Sequence, residues 1–334
     1  MKKGCLFFSP PVLPANADGK KGGGCTSSMA AFLPFMPALT KKQKNIIINW
    51  KEKQGKPKAF LYLYGEEERR TKNMGQKETL TLPVTQEVWK LLTDVTYAQV
   101  PFWFDQGWRP LKLDLLLPKH QEHHEPLPLF VWVCGGGFAV MDKDIWVPEL
   151  IDIARSGFVV ASVQYRTSNE APFPAAIEDV KAAIRFLRAH AEQFCIDPEK
   201  VAIGGESAGG HLACMAGVTG QDSTYDKGEY LSYSSAVQAV VDYYGVVDVT
   251  ARRPAPEPNF MTMLLGAPAM SVPEKAKKAS PLFAVHKKCP PFLVLHGDKD
   301  DMVDPDQSER LVKALEEHGV PYEYLVLQGA GHGD

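Results

Sequence analysis

The segment that decides the fold reads Gly205-Glu206-Ser207-Ala208-Gly209-Gly210. It follows a short apolar run at 201–203 and precedes a helix-like run at 211–218. A serine on a sharp strand-to-helix turn needs small neighbours, because larger side chains would strike the strand or the helix. The pattern predicts a nucleophile elbow, with the Ser207 hydroxyl exposed above a sheet and the Ala208 amide facing an oxyanion. A glycine-rich turn with a structural serine is the alternative.

Apolar runs alternate with helical patterns on both sides of this elbow. Strands are predicted at 111–117, 129–133, 158–163, 201–203, 240–243, 292–295 and 322–327. Helices are predicted at 175–190, after Ser207, and at 308–318. Strands that alternate with helices favour a mostly parallel central sheet with helical crossovers, which is an α/β fold.

Composition excludes several classes of function. The chain has 334 residues and a formal net charge of -3, so no large basic field points to nucleic acid. Its six cysteines show no CxxC pairing, and several lie in apolar runs, which favours reduced, buried thiols. No apolar run approaches the length of a membrane span.

The first 75 residues differ from the rest. They include a triple glycine at 22–24, proline-spaced apolar residues and a basic run, without a sustained period. We expect residues 1–75 to be a flexible N-terminal extension and residues 76–334 to form the folded domain. The start loosely imitates a signal peptide, but Pro10, Pro11 and Pro14 interrupt it. A cytoplasmic protein is therefore expected, with secretion as the alternative.

A second glycine-rich segment follows the predicted strand at 129–133. It reads Cys134-Gly135-Gly136-Gly137-Phe138. Consecutive glycines let backbone amides face inward without obstruction by side chains. The amides of Gly136 and Gly137, together with that of Ala208, could therefore form an oxyanion hole. A tight loop that only permits close packing is the alternative.

An acid and a base follow later strands. Five aspartates compete as the acid, and spacing alone does not choose among Asp298, Asp300, Asp301, Asp304 and Asp306. The base candidate, His332, lies between glycines after the last predicted strand. The order serine, aspartate, histidine is that of α/β-hydrolases and differs from the orders of chymotrypsin and subtilisin. No metal or organic cofactor is expected.

Other histidines receive structural interpretations. The run at 120–125 contains three histidines and two glutamates, but adjacent histidines on a loop are not a defined ligand geometry, so a solvated loop is favoured over a metal site. His211 and His296 are expected to pack or to brace loops, because neither follows the last strand.

These motifs resemble the α/β-hydrolase superfamily, and within it the esterase/lipase group of hormone-sensitive-lipase-like and bacterial, BD-FAE-like acyl esterases. The resemblance extends from about residue 111 to the end and includes Tyr165-Arg166 and the motif 296–303. It implies an α/β-hydrolase fold with a small cap or none, and a Ser207, Asp300 and His332 triad. It selects Asp300 among the five aspartates.

The chain departs from this family in two places. The oxyanion loop usually begins with histidine, where this chain has Cys134, and a buried structural thiol is favoured there over a second nucleophile. The family also has a further helix beyond its histidine, whereas this chain ends at Asp334. We therefore expect the domain to be truncated at that helix and the His332 loop to be poorly anchored.

The expected activity is hydrolysis of small-molecule carboxylic esters through an acyl-enzyme. The segment 252–280 is too short for a large cap, which favours short acyl groups such as acetyl, with Met261, Met263 and Leu264 as apolar lining. Amide or peptide hydrolysis on the same triad, including formamidase activity, is one alternative. A non-catalytic binding module of the hydrolase fold is the other. Oligomeric state stays open.

Overall fold

A computed structural model describes residues 88–102, 106–121, 125–251 and 259–334. Its strands are β1 Trp89–Phe102, β2 Gly107–Pro118, β3 Leu127–Val133, β4 Val159–Val163, β5 Ile196–Glu206, β6 Ala239–Tyr243, β7 Phe292–Gly297 and β8 Tyr322–Leu327. Its helices are α1 Val147–Arg155, α2 Ala175–Ala189, α3 Ala208–Val218, α4 Phe260–Leu265, α5 Pro273–Lys278 and α6 Asp306–Glu317. The predicted extension, residues 1–75, lies outside the described residues, and the 76–334 domain boundary stays a prediction.

The strands of the described residues form one sheet in the order β1-β2-β4-β3-β5-β6-β7-β8. β1 pairs with β2, and β2 with β4, in antiparallel register, whereas every pair from β4 to β8 is parallel. Parallel strands are covered on both faces, which explains why β4 is buried throughout and reads as an uninterrupted apolar run. The predicted α/β-hydrolase fold is confirmed.

Register brings the predicted site to one edge of the sheet. Val133, the last residue of β3, pairs with Gly205 near the end of β5. Gly205 also pairs with Asp242 of β6. Because parallel strands point the same way, the glycine loop after β3 and the serine after β5 emerge side by side.

Two elements have weak sequence signals. β1 is mostly exposed along its length, so it lacks the apolar run by which the buried strands are recognised. α1 has only nine residues, of which Leu150 and Ala154 are buried. β1 lies at the edge of the sheet beside β2, and α1 is too short to show a sustained apolar period.

Helix α2 holds a long loop through buried cations. Its apolar face, predicted from the period of Ile177, Val180, Ile184 and Leu187, is buried as expected. Lys181, Arg185 and Arg188, which lie beside the apolar face of the same helix, are buried as well. They donate hydrogen bonds to oxygen atoms of the loop residues Thr219, Asp222, Asp226, Lys227, Glu229, Ser234 and Ala236. Carbonyl dipoles and one carboxylate thus replace water around these charges.

The segment after β6 contributes helices α4 and α5 in place of a large cap. Leu264, expected as pocket lining, is instead buried in the main core, at 2% exposure. Its carbonyl accepts a hydrogen bond from the Phe173 amide at 2.7 Å, which ties α4 to the domain. The four cysteines within the described ranges are buried, and none forms a disulfide.

Candidate active site

Ser207 stands on a strained turn between β5 and α3. Its φ of 55° and ψ of -117° are unusual for a residue with a side chain. The flanking glycines are sterically required: a Cβ at Gly209 would lie 1.9 Å from the Val133 carbonyl oxygen, and one at Gly205 would lie 2.5 Å from it. The elbow motif therefore follows from the close approach of β3 to this turn.

A chain of two hydrogen bonds joins Ser207, His332 and Asp300. The Ser207 hydroxyl lies 3.0 Å from His332 Nε2, and His332 Nδ1 lies 2.8 Å from Asp300 Oδ2. The carboxylate accepts, so Nδ1 carries the proton and Nε2 presents its lone pair to the hydroxyl. The structure thus brings together the three side chains that the resemblance selects.

Asp300 differs from the competing aspartates in burial and in its partners. Asp298, Asp301, Asp304 and Asp306 are exposed, whereas Asp300 is buried. Burial alone would raise the pKa of Asp300, but hydrogen bonds from His332 and from the amides of Val303 and Met302 outweigh it, and the pKa lies below its ordinary value. Asp300 therefore stays ionised beside the imidazole.

His296 braces the acid, as its structural interpretation anticipated. It is fully buried, and its Nε2 lies 2.9 Å from the Val303 carbonyl oxygen and 3.2 Å from Asp300 Oδ2. The Ser308 hydroxyl lies 2.6 Å from Nδ1. Since Nε2 faces two acceptors, it carries the proton, and Ser308 donates to Nδ1.

The glycine loop after β3 presents amide donors beside Ser207. Gly136 and Gly137 adopt φ values of 122° and 61°, which side chains rarely tolerate. A Cβ at Gly136 would also lie 2.2 Å from the Val140 carbonyl oxygen. The amides of Gly136, Gly137 and Ala208 donate no hydrogen bond to any residue within the described ranges. Three donors are therefore free to hold a developing oxyanion.

Comparisons with known proteins identify the family of this chain. The BD-FAE family model matches residues 113–315, more than half of the chain. The chain belongs to the BD-FAE family. Esterase LipQ of Mycobacterium tuberculosis is 34% identical over 210 residues, which cover 61% of this chain and 50% of LipQ. The chain spans about half the length of the curated relatives it matches.

Two solved structures resemble this BD-FAE family member over most of their lengths. A truncated carbohydrate esterase from gut microbiota matches with a TM-score of 0.64 and 32% identity, covering 73% of this chain and 89% of that one. An acetyl ester-xyloside bifunctional hydrolase from Caldicellulosiruptor lactoaceticus matches with a TM-score of 0.59 and 25% identity, covering 71% and 88%.

The family's usual histidine is replaced here by a buried thiol. Cys134 is 5% exposed, and burial raises the pKa of its thiol to about 12, so it stays neutral. Its carbonyl oxygen accepts a hydrogen bond from the Tyr165 hydroxyl at 2.8 Å. A neutral, buried thiol is a poor nucleophile, which agrees with the structural interpretation.

The His332 loop of this family member is braced from several sides, whereas poor anchoring was expected. The Lys299 amide donates to the Ala330 carbonyl at 2.9 Å, and the Gly329 amide donates to Asp298 at 2.6 Å. The Gly331 amide donates to the Asp334 carboxylate at 2.6 Å. The first two contacts hold the loop against the residues that follow β7, and the third closes the loop on itself.

Tyr244 and Phe260 adjoin the site but lack a motif in the sequence. The Tyr244 ring packs on the His332 imidazole with 4.7 Å between centroids, and its φ of 43° indicates a constrained backbone. A Cβ built on Gly137 would lie 2.8 Å from the Phe260 ring, so this half-exposed ring stands against the oxyanion loop. Only the tertiary contacts reveal either residue.

His211 has a structural place in the core, in agreement with its structural interpretation. His211 is buried, and burial lowers its pKa to about 4, while its Nδ1 lies 2.7 Å from the Val246 carbonyl oxygen. Residues 122–124 of the histidine run lie outside the described residues. Within the described ranges, no cluster of three or more His, Cys, Asp or Glu side chains could hold a metal ion. Among the helices formed by described residues, none combines the length and apolar character that a bilayer crossing demands.

Proposed function

We propose that this chain is a serine carboxylesterase acting on short-chain acyl esters. The main support is the chain of hydrogen bonds through His332, whose Nε2 lies 3.0 Å from the Ser207 hydroxyl and whose Nδ1 lies 2.8 Å from Asp300 Oδ2. Membership of the BD-FAE family and similarity to esterases such as LipQ support it. A nucleophile, a base and an orienting acid in contact form the arrangement that acyl transfer requires.

The reaction proceeds in two halves. His332 Nε2 accepts the proton of Ser207 as the serine oxygen attacks the ester carbonyl, and the resulting oxyanion accepts hydrogen bonds from the amides of Gly136, Gly137 and Ala208. The tetrahedral adduct collapses, and the alcohol leaves with the proton from His332. Water then attacks the acyl-enzyme and gives one proton to His332. The second adduct collapses, His332 returns that proton to the Ser207 oxygen, and the carboxylic acid is released.

Asp300 supports both halves. It keeps the Nδ1 proton in place, so that Nε2 faces Ser207, and its charge stabilises the imidazolium that forms after each proton transfer. The low pKa of Asp300 means that this charge persists well below neutral pH. Every step uses groups of the chain and water.

A short acyl group fits the surroundings of the oxyanion loop. The Phe260 ring stands against Gly137 and limits the space beside the carbonyl-binding position. The acetyl ester-xyloside hydrolase and the carbohydrate esterase that resemble this chain support an acetyl group carried on a sugar or another small alcohol.

Two assays test the proposal. A fluorophosphonate probe should label the wild-type chain and fail to label Ser207→Ala. Turnover should be faster on p-nitrophenyl acetate than on the decanoate ester, and faster on the acetate than on p-nitroacetanilide. Absence of labelling in the folded protein would contradict a catalytic serine and favour a binding module. A preference for decanoate would contradict the short-chain assignment, and a preference for the anilide would favour an amidase.

A further inference from the structure

Glu206 directly precedes Ser207, yet its carboxylate is directed to the oxyanion loop. Its Oε1 accepts a hydrogen bond from the Gly135 amide at 2.5 Å and another from Trp146 Nε1 at 3.2 Å. The Cys134 thiol lies 3.7 Å from the same oxygen. One carboxylate oxygen therefore joins the nucleophile elbow to the oxyanion loop and to the residue before α1.

The fit between Glu206 and Gly135 is close enough to require glycine. A Cβ at Gly135 would lie 2.6 Å from the Glu206 carbonyl oxygen, which cannot move aside, and 2.3 Å from the carboxylate oxygen Oε2. The carboxylate thus lies directly on the loop backbone. Because it occupies the Gly135 amide, that amide cannot serve the oxyanion, and the role falls to Gly136 and Gly137.

A loop of three consecutive glycines needs such a restraint. Glycine loses more conformational freedom on ordering than any other residue, and oxyanion donors act well only when they are held in place before the reaction. A buried hydrogen bond that fixes one amide of the loop favours one loop conformation over the others. Glu206 supplies that bond from the residue next to the nucleophile, so the donors and Ser207 move together.

We infer that Glu206 is a positioning residue that holds the oxyanion loop in its active conformation by accepting the Gly135 amide. The inference rests on the proposed esterase function and deepens it. Glu206 acts through the loop, and an oxygen acceptor at this position is what matters. A neutral amide oxygen at the same distance therefore retains most of the effect.

The acceptor can do this whether or not it is charged. Burial raises the pKa of Glu206, while hydrogen bonds from Gly135 and Trp146 and the field of His332 oppose the rise. A protonated carboxyl still offers one oxygen to the Gly135 amide. The positioning role therefore does not depend on the charge of Glu206. A role as counter-ion to His332 would need the negative charge, so the two roles can be separated by experiment.

Three variants separate these roles on the full chain. Glu206→Ala removes the acceptor, Glu206→Gln keeps an acceptor without charge, and Glu206→Asp keeps the charge but falls short of the loop by one methylene. Glu206→Ala should lower kcat on p-nitrophenyl acetate about 100-fold, as loss of an oxyanion donor does, with KM changed less than about threefold. Glu206→Gln should stay within about tenfold of wild type, and Glu206→Asp should resemble Glu206→Ala.

A trifluoromethyl ketone provides a readout that a merely structural role would not move. It adds to Ser207 and places an oxyanion in the hole, so its affinity should fall in Glu206→Ala by the same factor as kcat/KM. Circular dichroism checks folding, and if Glu206→Ala does not fold, Glu206→Asp serves the test. Glu323→Gln, a half-buried carboxylate near the start of β8, is the matched control and should leave kcat unchanged.

The outcomes are distinct. Equal losses in Glu206→Ala and Glu206→Gln would overturn the inference in favour of a charge acting on His332. A folded Glu206→Ala with kcat within threefold of wild type would overturn it outright. A wild-type chain that neither hydrolyses the acetate nor reacts with fluorophosphonate would refute the proposed function, and the inference would fall with it. If the wild type is active, a contrary result with the Glu206 variants overturns the inference about Glu206 and leaves the proposed function standing.

Discussion

Asp242 offers a sharp test of the electrostatics beneath the nucleophile elbow. It lies on β6 in register with Gly205, and its side chain has no exposed surface. Oδ1 accepts a hydrogen bond from the Gly245 amide at 3.0 Å, but Oδ2 has no partner among the described residues. A charge held by so few donors is poorly solvated, and burial raises the pKa of Asp242 to about 7.

The magnitude follows from linkage. The unfolded chain releases this proton near the ordinary value of 3.8, so the folded and unfolded pKa values differ by about three. At about 1.4 kcal/mol per unit, this amounts to about 4 kcal/mol. Between these two pKa values the folded state binds more protons than the unfolded state. The free energy of unfolding therefore falls as pH rises from about 4 to about 7, and the loss is complete above that range.

Asp242→Asn removes this titration while keeping an oxygen for the Gly245 amide. Relative to wild type, the variant should gain up to about 4 kcal/mol in the free energy of unfolding between pH 4 and pH 8. Urea denaturation, monitored by tryptophan fluorescence, measures this difference at each pH. The titrations of all other groups are common to both proteins and cancel in the difference. Asp152→Asn, which alters an exposed carboxylate on α1, is the control and should show no such trend. A difference from wild type that is constant with pH would refute the reasoning.

Three further substitutions test the site. Gly209→Ala should destabilise the fold by about 1–3 kcal/mol and lower esterase activity, because its Cβ meets the Val133 carbonyl oxygen. Urea denaturation measures the loss of stability, and p-nitrophenyl acetate turnover measures the loss of activity. Tyr244→Ala should lower kcat about 10- to 100-fold, because the His332 ring loses the surface that orients it. Phe260→Ala should raise kcat/KM on hexanoate relative to acetate about tenfold by opening space beside the oxyanion loop.

Each of these substitutions has a matched control. Gly107→Ala adds the same Cβ where nothing lies within 4 Å, and it should be neutral. Tyr244→Phe keeps the ring and should retain most of kcat; a loss equal to that of the alanine variant would argue against packing as the cause. Phe283→Ala removes an equally exposed ring that contacts Lys277, and it should leave chain-length preference unchanged. A shift there as large as that of Phe260→Ala would contradict a local effect.

The buried parallel strands were predictable because their chemistry is local. β3, β4 and β7, whose residues are almost all buried, lie within two residues of the runs that predict them. A strand covered on both faces must be apolar throughout, so its signal survives without knowledge of its neighbours. β1 carries no such signal, since its place depends on pairing with β2.

The site was predictable only in part. Glycines at 205 and 209 mark the elbow because backbone approaches backbone there, and this constraint appears in the sequence as missing side chains. The acid could not be chosen by spacing, and only the resemblance selected Asp300. The structure distinguishes it by burial and by contact with His332. The catalytic roles of these residues stay predictions until labelling and turnover are measured.

The sequence by itself determined the α/β class, the order of serine, aspartate and histidine, and the glycines that tight turns require. All of these depend on local apolar period, chain order or backbone conformation. Only the tertiary structure decided that Glu206 holds the oxyanion loop, that Tyr244 packs on His332, and that α2 buries three cations against a loop. The physical reason is that such contacts join residues tens of positions apart, where identity and spacing do not reveal which atoms meet.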